Sequence, residues 1–354
     1  MKNRKWLVWL LMALLAAYLG WMLYSSHFDW HGFWSALRQA NPKHLLLGIA
    51  IIYTNYLIRA VRWSILLNPV KRVSPWRLIG SQFIGYTGLA IFGRLGELIR
   101  PYLIARRTSL TFSSQIAVVT VERIFDLGAF AILFSLNLAL SPSLSTLPYH
   151  ENFRLMGLAA AGLTAVIIAF AFVVRVSGAV VAAGVQRFIG LISKPAGESA
   201  AEKILSFRDG LNTLATFADF AWVSVLSLLL WLSIALAYVQ VMRAFGEPVH
   251  SLSLSHILLL MGFSIVGSVV QLPGVGGGSQ VATGLAMAKL FSVPAALASS
   301  AAIVLWLVTF MSVIPAGLIF AHFEKVSLRK AAEASESEDP ELAAAAPEPS
   351  SPPL

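Results

Sequence analysis

Gly93-Arg94-Leu95-Gly96-Glu97-Leu98-Ile99-Arg100-Pro101 is the stretch on which the fold turns. It follows an apolar run, residues 78–92, that falls short of the ~20 residues a helix needs to cross a hydrocarbon core. Glycine, proline and charge at membrane depth survive only where protein or a wet cavity satisfies the freed backbone groups. The stretch therefore reads as the tip and return of a re-entrant helical hairpin, entering and leaving on one side. A second segment repeats the pattern: apolar residues 254–272 run into Pro273-Gly274-Val275-Gly276-Gly277-Gly278, followed by the weaker apolar stretch 281–291.

Working outward, six longer apolar runs surround these hairpins: residues 6–24, 44–67, 113–140, 155–174, 217–241 and 295–322. The first follows Lys2, Arg4 and Lys5 and has no small-residue cleavage site after it, so it reads as an uncleaved anchor. Composition agrees. Of 354 residues, 57% are hydrophobic and only 12% charged, against about 25% charged in soluble domains. Mean hydropathy is +0.75. That leaves too little polar surface for a soluble enzyme and describes a polytopic, all-α integral membrane protein. The absence of cysteine excludes disulfides, Cys-ligated zinc, iron–sulfur clusters and thiol nucleophiles.

The net charge of +9 is unevenly placed. With the N-terminus in the cytoplasm, most Lys and Arg residues fall in inner segments, and only Arg38, Lys43, Arg154, Arg243 and Lys289 fall outside. This is the positive-inside pattern, and it places the C-terminus in the cytoplasm as well. It holds only if neither hairpin is a full span. The order is then span, span, hairpin, span, twice over, in halves of residues 1–142 and 155–322 within a membrane domain of residues 1–330. An odd number of spans per half inverts the second half, and interrupted segments at matching places point to a substrate site between them. Residues 177–216 read as a cytoplasmic connecting loop, with Val181, Val185, Phe188, Ile189 and Ile192 at the spacing of an interfacial helix. Residues 331–354 hold six acids and no base and read as a disordered tail.

Charges inside a membrane persist where they are paired or functional. Glu122 and Asp126 share one helical face, with Arg123 between them. Arg94, Glu97 and Arg100 are three apart around the glycine turn, so Glu97 can face either arginine. Arg59 and Arg62 lie one turn apart beside Trp63, where by themselves they read as snorkelling end-caps. Together these arginines outnumber the acids, which suits a phosphate-bearing anion, because guanidinium forks bind phosphate oxygens bidentately. The competing reading is a set of ion pairs that locks the hairpin to its neighbours. The glycine loop could be a nest of backbone N–H groups for an anion, or a plain turn between half-helices. It lacks the Lys-Ser/Thr of a nucleotide-binding loop. His27-Phe28-Asp29-Trp30-His31 reads as an aromatic interfacial belt, not a metal site.

The arginine-glycine-glutamate stretch, with Arg59-Ala60-Val61-Arg62-Trp63 before it and Glu122-Arg123-Ile124-Phe125-Asp126 and the glycine loop after it, resembles the lysylphosphatidylglycerol synthase transmembrane-region family. The resemblance covers roughly residues 45–320. It implies a bacterial or archaeal inner-membrane protein that handles phospholipid or lipid-linked substrates. The acidic tail leaves no room for a synthase domain, so lipid aminoacylation is not expected. Gly88 and Phe92 stand where the family often has Asn and Pro, Gln280 where it usually has Glu, and Trp306 where a basic residue is common. Loss of an acid and a base together suggests a charge pair exchanged for neutral packing.

These readings converge on an ATP-independent lipid flippase for an anionic, phosphate-bearing lipid. Arg94 and Arg100 would hold the phosphate, and Arg59 and Arg62 would attract it. Glu97, Glu122, Arg123 and Asp126 would complete the site, and Pro273, Gly274, Gly276, Gly277, Gly278 and Gln280 would form a hinge. The alternative is a non-transporting scaffold or regulator of envelope biosynthesis, and after it a membrane-embedded lipid transferase. No catalytic motif, cofactor, metal site or nucleic-acid partner is expected, and the oligomeric state is left open.

Overall fold

The computed structural model describes residues 29–145, 147–148, 150–191, 193–212, 216–272 and 276–336. The expected first span, the residues Pro273 and Gly274, and the distal tail lie outside the described residues, as does the side chain of Arg94. The architecture is all-α apart from one two-residue ladder. A short helix α1 (Trp30–Gln39) leads into α2 (Pro42–Leu67), α3 (Pro75–Phe92), a 3₁₀ turn (Gly93–Leu98), α4 (Ile99–Thr108) and α5 (Phe112–Leu140). Next come α6 (His150–Gly190), α7 (Lys194–Asn212), α8 (Phe217–Arg243) and α9 (Leu254–Gly267). The strands β1 (Gln271–Leu272) and β2 (Gly276–Gly277) precede α10 (Gly278–Leu290). The last long helix comprises α11 (Ala295–Trp306), a π turn (Leu307–Met311) and α12 (Val313–Phe323), and α13 (Leu328–Ser335) follows it.

Local chemistry sets these boundaries. Asn41 caps α2 through the Lys43 N–H, with Pro42 in the first turn. Thr111 caps α5, and Thr216 with Asp219 forms a capping box on α8. Asp29, within the stretch read as an aromatic belt, accepts from the Gly32 N–H at 2.8 Å and starts α1. Pro315 can donate nothing to the carbonyl of Met311 and crowds it. The wide π turn lies immediately before, and the carbonyls of Ser312 and Val313 accept from Tyr53 at 2.7 Å and Thr87 at 3.2 Å.

Among the described residues, Pro42–Leu67, Phe217–Arg243 and Ala295–Phe323 are long and apolar enough to cross a membrane. Helix α5 also has the length, but Glu122, Arg123 and Asp126 interrupt it. Two helical hairpins are present where the glycine breaks stand. Gly93, at φ +65°, turns α3 into the 3₁₀ segment, and α4 returns along α3. In the second, α9 is followed by β1 pairing antiparallel with β2, and α10 returns along α9. Gly276 and Gly277, at φ +81° and +129°, need the freedom of glycine there.

The two halves interlock through α2 and α8, and each hairpin packs on the last long helix of the other half. Both crossings use a glycine: Gly317 of α12 lies against Thr87 and Phe83 of α3, and Gly262 of α9 lies against Phe134 of α5. Small residues let helices approach where lipid supplies no hydrophobic drive between them.

Two expectations change. The helix expected within the connecting loop of residues 177–216 is not a separate element but the continuation of α6, which kinks at Ser177 and runs to Gly190. A second helix, α7, packs back along it. The tail is ordered beyond residue 330, because α13 runs to Ser335 and buries Ala331 and Ser335 against its neighbours.

Candidate functional site

The embedded charges meet where α2, α4 and α5 converge. Arg62 is 0% exposed. It donates to Glu122 Oε1 at 2.7 Å, to Asp126 Oδ1 at 2.5 Å and to the Ser227 hydroxyl at 2.7 Å. Arg100, also buried, reaches the other Glu122 oxygen at 2.7 Å and lies over the Trp63 ring at 4.5 Å. Gln82 and Tyr86 accept from it at 3.3 Å. Glu122 thus bridges two arginines with both oxygens. The pair of carboxylates on one face of α5 is held by basic groups from two other elements.

The end-cap reading of Arg62 fails on this burial. Trp63, expected at an interface, is likewise buried and donates to Gln115 at 3.1 Å. The end of α2 is covered by α3, α4 and α5, so neither side chain has an interface to reach. Among the described side chains Glu97 pairs with Arg123 and not with Arg100, in a pair 37% and 54% exposed that stands apart from the buried network.

Arg59 behaves differently. Its guanidinium lies 3.9 Å from Glu122 and 3.7 Å from Asp126, beyond hydrogen-bond reach of both. It donates through Nε to Asn55 at 3.1 Å and stacks over Tyr86 at 4.9 Å. Asn55 is itself fixed by the Leu230 carbonyl and the Ser233 hydroxyl of α8. Among the described side chains, the connected network holds three guanidiniums, Arg59, Arg62 and Arg100, against two carboxylates, so one positive charge is left over. Arg59, with a 12% exposed side chain, is where that charge meets open space.

The open space is a cavity of about 290 Å³ between the halves. Arg59, Asn55 and Tyr86 form one side of it. Ser264 of α9, Ser279, Gln280 and Thr283 of α10, and Trp306 and Thr309 of the last long helix are polar residues of the other sides, with apolar side chains between them. Gln280 and Trp306, distant from each other in sequence, therefore line one cavity with Arg59. The Gln280 side chain also accepts from the Gly277 N–H at 2.7 Å, and Gly278 N–H is taken by the Val270 carbonyl at 2.8 Å. These loop donors serve the fold, which removes Gly277 and Gly278 from an anion nest.

Sequence reasoning passed over Asn55, Tyr86, Ser264, Ser279 and Thr283. The available signal was a polar side chain inside an apolar helical run, which in a membrane asks for a partner. For Asn55 there was a second, since it lies four residues before Arg59 on the same helical face.

The sequence pattern of the lysylphosphatidylglycerol synthase TM region matches residues 8–317 of the chain. The chain is similar to glycosyltransferase AglD of Haloferax volcanii, 27% identical over 321 residues, or 84% of this chain and 51% of that protein. It thus spans about half the length of that relative. It is also similar to two UPF0104 membrane proteins of Methanothermobacter thermautotrophicus, at 26% and 22% identity. Those matches cover 75% and 68% of this chain, and 78% and 73% of the relatives. No solved structure matches.

Proposed function

The chain belongs to the lysylphosphatidylglycerol synthase transmembrane-region family and is a multi-pass integral membrane protein; on that premise we propose that it moves an anionic, phosphate-bearing lipid between leaflets. The observation that carries this reading is Arg59, a guanidinium with unmatched charge on the wall of a cavity between the two halves. A charge at membrane depth is costly unless function retains it, and a guanidinium fork fits a phosphate. Glu122, Asp126, Arg62 and Arg100 position Arg59 and hold the first hairpin. Arg94 at the turn attracts the phosphate on its approach to the cavity in this proposal and is not counted among the groups that line it. The sequence holds no ATP-binding motif, so movement is passive or ion-coupled.

The finer topology belongs to the same proposal. Six spans cross the cytoplasmic (inner) membrane, both termini are cytoplasmic, and the two hairpins are re-entrant within an inverted repeat. The reciprocal packing of each hairpin on the other half supports this arrangement. The name of the glycosyltransferase relative describes a protein of which this chain spans about half, and glycosyl transfer is not carried across.

The saturated network of Arg62, Arg100, Glu122 and Asp126 favours a second reading, a non-transporting scaffold whose charges only lock helices together. Exchange of labelled anionic lipid in liposomes containing the protein, compared with Arg59→Ala, separates the two. Exchange that vanishes in a folded Arg59→Ala supports translocation. No exchange above empty liposomes, across several anionic head groups and with or without an ion gradient, leaves the scaffold.

A further inference from the structure

Resting on the translocation reading, we propose that the cavity selects a lipid whose head group carries one phosphodiester and a small hydroxyl-bearing substituent, glycerol or a single sugar, and no amine. Charge supplies the first argument. Among the described residues that line the cavity, Arg59 is the one charged group. The carboxylates behind it are engaged: both Glu122 oxygens and Asp126 Oδ1 bond Arg62 or Arg100. A phosphodiester monoanion balances the single unmatched charge. A diphosphate would bring at least one more negative charge with nothing to pair it, which is unfavourable away from water.

The far wall supplies the second argument. Ser279 donates its hydroxyl proton to Gln280 Oε1 at 2.9 Å, and Thr283 donates to the Ser279 carbonyl at 2.7 Å. The Ser264 hydroxyl accepts from Tyr238 at 3.2 Å. With their protons spent inward, the Ser279 and Thr283 hydroxyls keep acceptor lone pairs for the cavity. Acceptors without a carboxylate suit the O–H groups of glycerol or a sugar. An ammonium would lose its hydration there and find no counter-charge. Trp306 contributes the complement, because its indole N–H is buried without a hydrogen-bond partner among the described residues. An indole donates only, so it asks for a phosphate or hydroxyl oxygen.

Size supplies the third. At about 290 Å³ the cavity sits at the lower bound of small-molecule pockets, roughly 300 Å³. It has room for one small head group.

The test is thermal unfolding of the full chain in detergent, titrated with short-chain phosphatidylglycerol, short-chain phosphatidylethanolamine or sn-glycerol 3-phosphate. Phosphatidylglycerol should bind about tenfold more tightly than phosphatidylethanolamine, the weight of ~1.4 kcal/mol. Gln280→Glu retains an acceptor for the Gly277 N–H and adds a carboxylate to the wall, so it should reverse that preference. Trp306→Phe keeps a ring, removes the donor and should weaken phosphatidylglycerol binding. Equal affinity for the two lipids in the native protein, or an unchanged ratio in a folded Gln280→Glu, overturns the selectivity. Glycerol 3-phosphate stabilising as well as the lipid assigns the cavity to a soluble anion and overturns it too. Selective binding without leaflet exchange defeats translocation alone, while exchange without selectivity defeats this inference alone.

Discussion

Glu122→Gln is the perturbation that weighs the buried network. The native carboxylate is 1% exposed and places one oxygen 2.7 Å from Arg62 and the other 2.7 Å from Arg100. The amide keeps the shape, loses the charge and can accept at one atom only, so its NH₂ faces a guanidinium. Arg62 retains Asp126 and Ser227. Among the described residues Arg100 retains two 3.3 Å contacts, with Gln82 and Tyr86, and the rings of Trp63 and Tyr86. The loss therefore falls mainly on Arg100, as an uncompensated buried cation. Breaking a buried pair from one side costs about 3–5 kcal/mol, and the surviving partners of Arg62 place Glu122→Gln at about 3 kcal/mol on that scale. The assay is equilibrium unfolding in mixed micelles of graded denaturing detergent, with Glu97→Gln as control. That exposed pair with Arg123 should contribute about 0–1 kcal/mol. Adding Arg100→Gln to Glu122→Gln restores the charge balance, so the double variant should be more stable than the sum of the singles by about 1 kcal/mol or more. A Glu122→Gln loss no larger than that of Glu97→Gln, or strict additivity with Arg100→Gln, would refute the reasoning.

Arg62→Gln should prevent accumulation of folded protein, while Arg59→Gln should leave the unfolding midpoint within about 1 kcal/mol and abolish lipid exchange; equal stability losses would remove the division of labour between them. Gly317→Val should destabilise the chain by about 1–3 kcal/mol through overpacking against Thr87 and Phe83, and a neutral effect on the same unfolding curve would contradict that close approach. With no native cysteine, Ser113→Cys in the first turn of α5 should react with a membrane-impermeant maleimide from the cytoplasm, and reaction only from outside would sink the re-entrant topology. Tyr53→Phe removes the hydroxyl held by the Ser312 carbonyl beside the π turn and should cost about 1–2 kcal/mol in thermal unfolding.

The crossing at Gly317 and the crossing at Gly262 are the same device used twice, once for each hairpin. Among the described residues, the first hairpin contributes Arg100 to the buried ion pairs and the second contributes none. The second presents serine, threonine and glutamine to the shared cavity, and its glycine turn is tied down by its own hydrogen bonds. The two halves thus offer unlike walls to whatever enters: a cation with aromatic neighbours on one side, neutral acceptors and a buried indole on the other.

What the sequence determined by itself was set by local, one-dimensional constraints. Apolar runs interrupted by Gly93–Leu98 and by the later glycine loop required hairpins. The charges at 59, 62, 122, 123 and 126 within apolar runs required partners, and their spacing put Glu122 and Asp126 on one helical face. Only the tertiary structure decided which arginine is saturated and which is left to act. Arg59 and Arg62 are one turn apart, and the small angle between them on α2 becomes a difference of role because α4 and α5 close over one and a cavity opens at the other. Nor could spacing show that Gln280 and Trp306, far along the chain, face that same cavity. Pairing of a buried charge depends on which helices converge around it, and convergence is set by packing at small residues distant in sequence from the charges themselves.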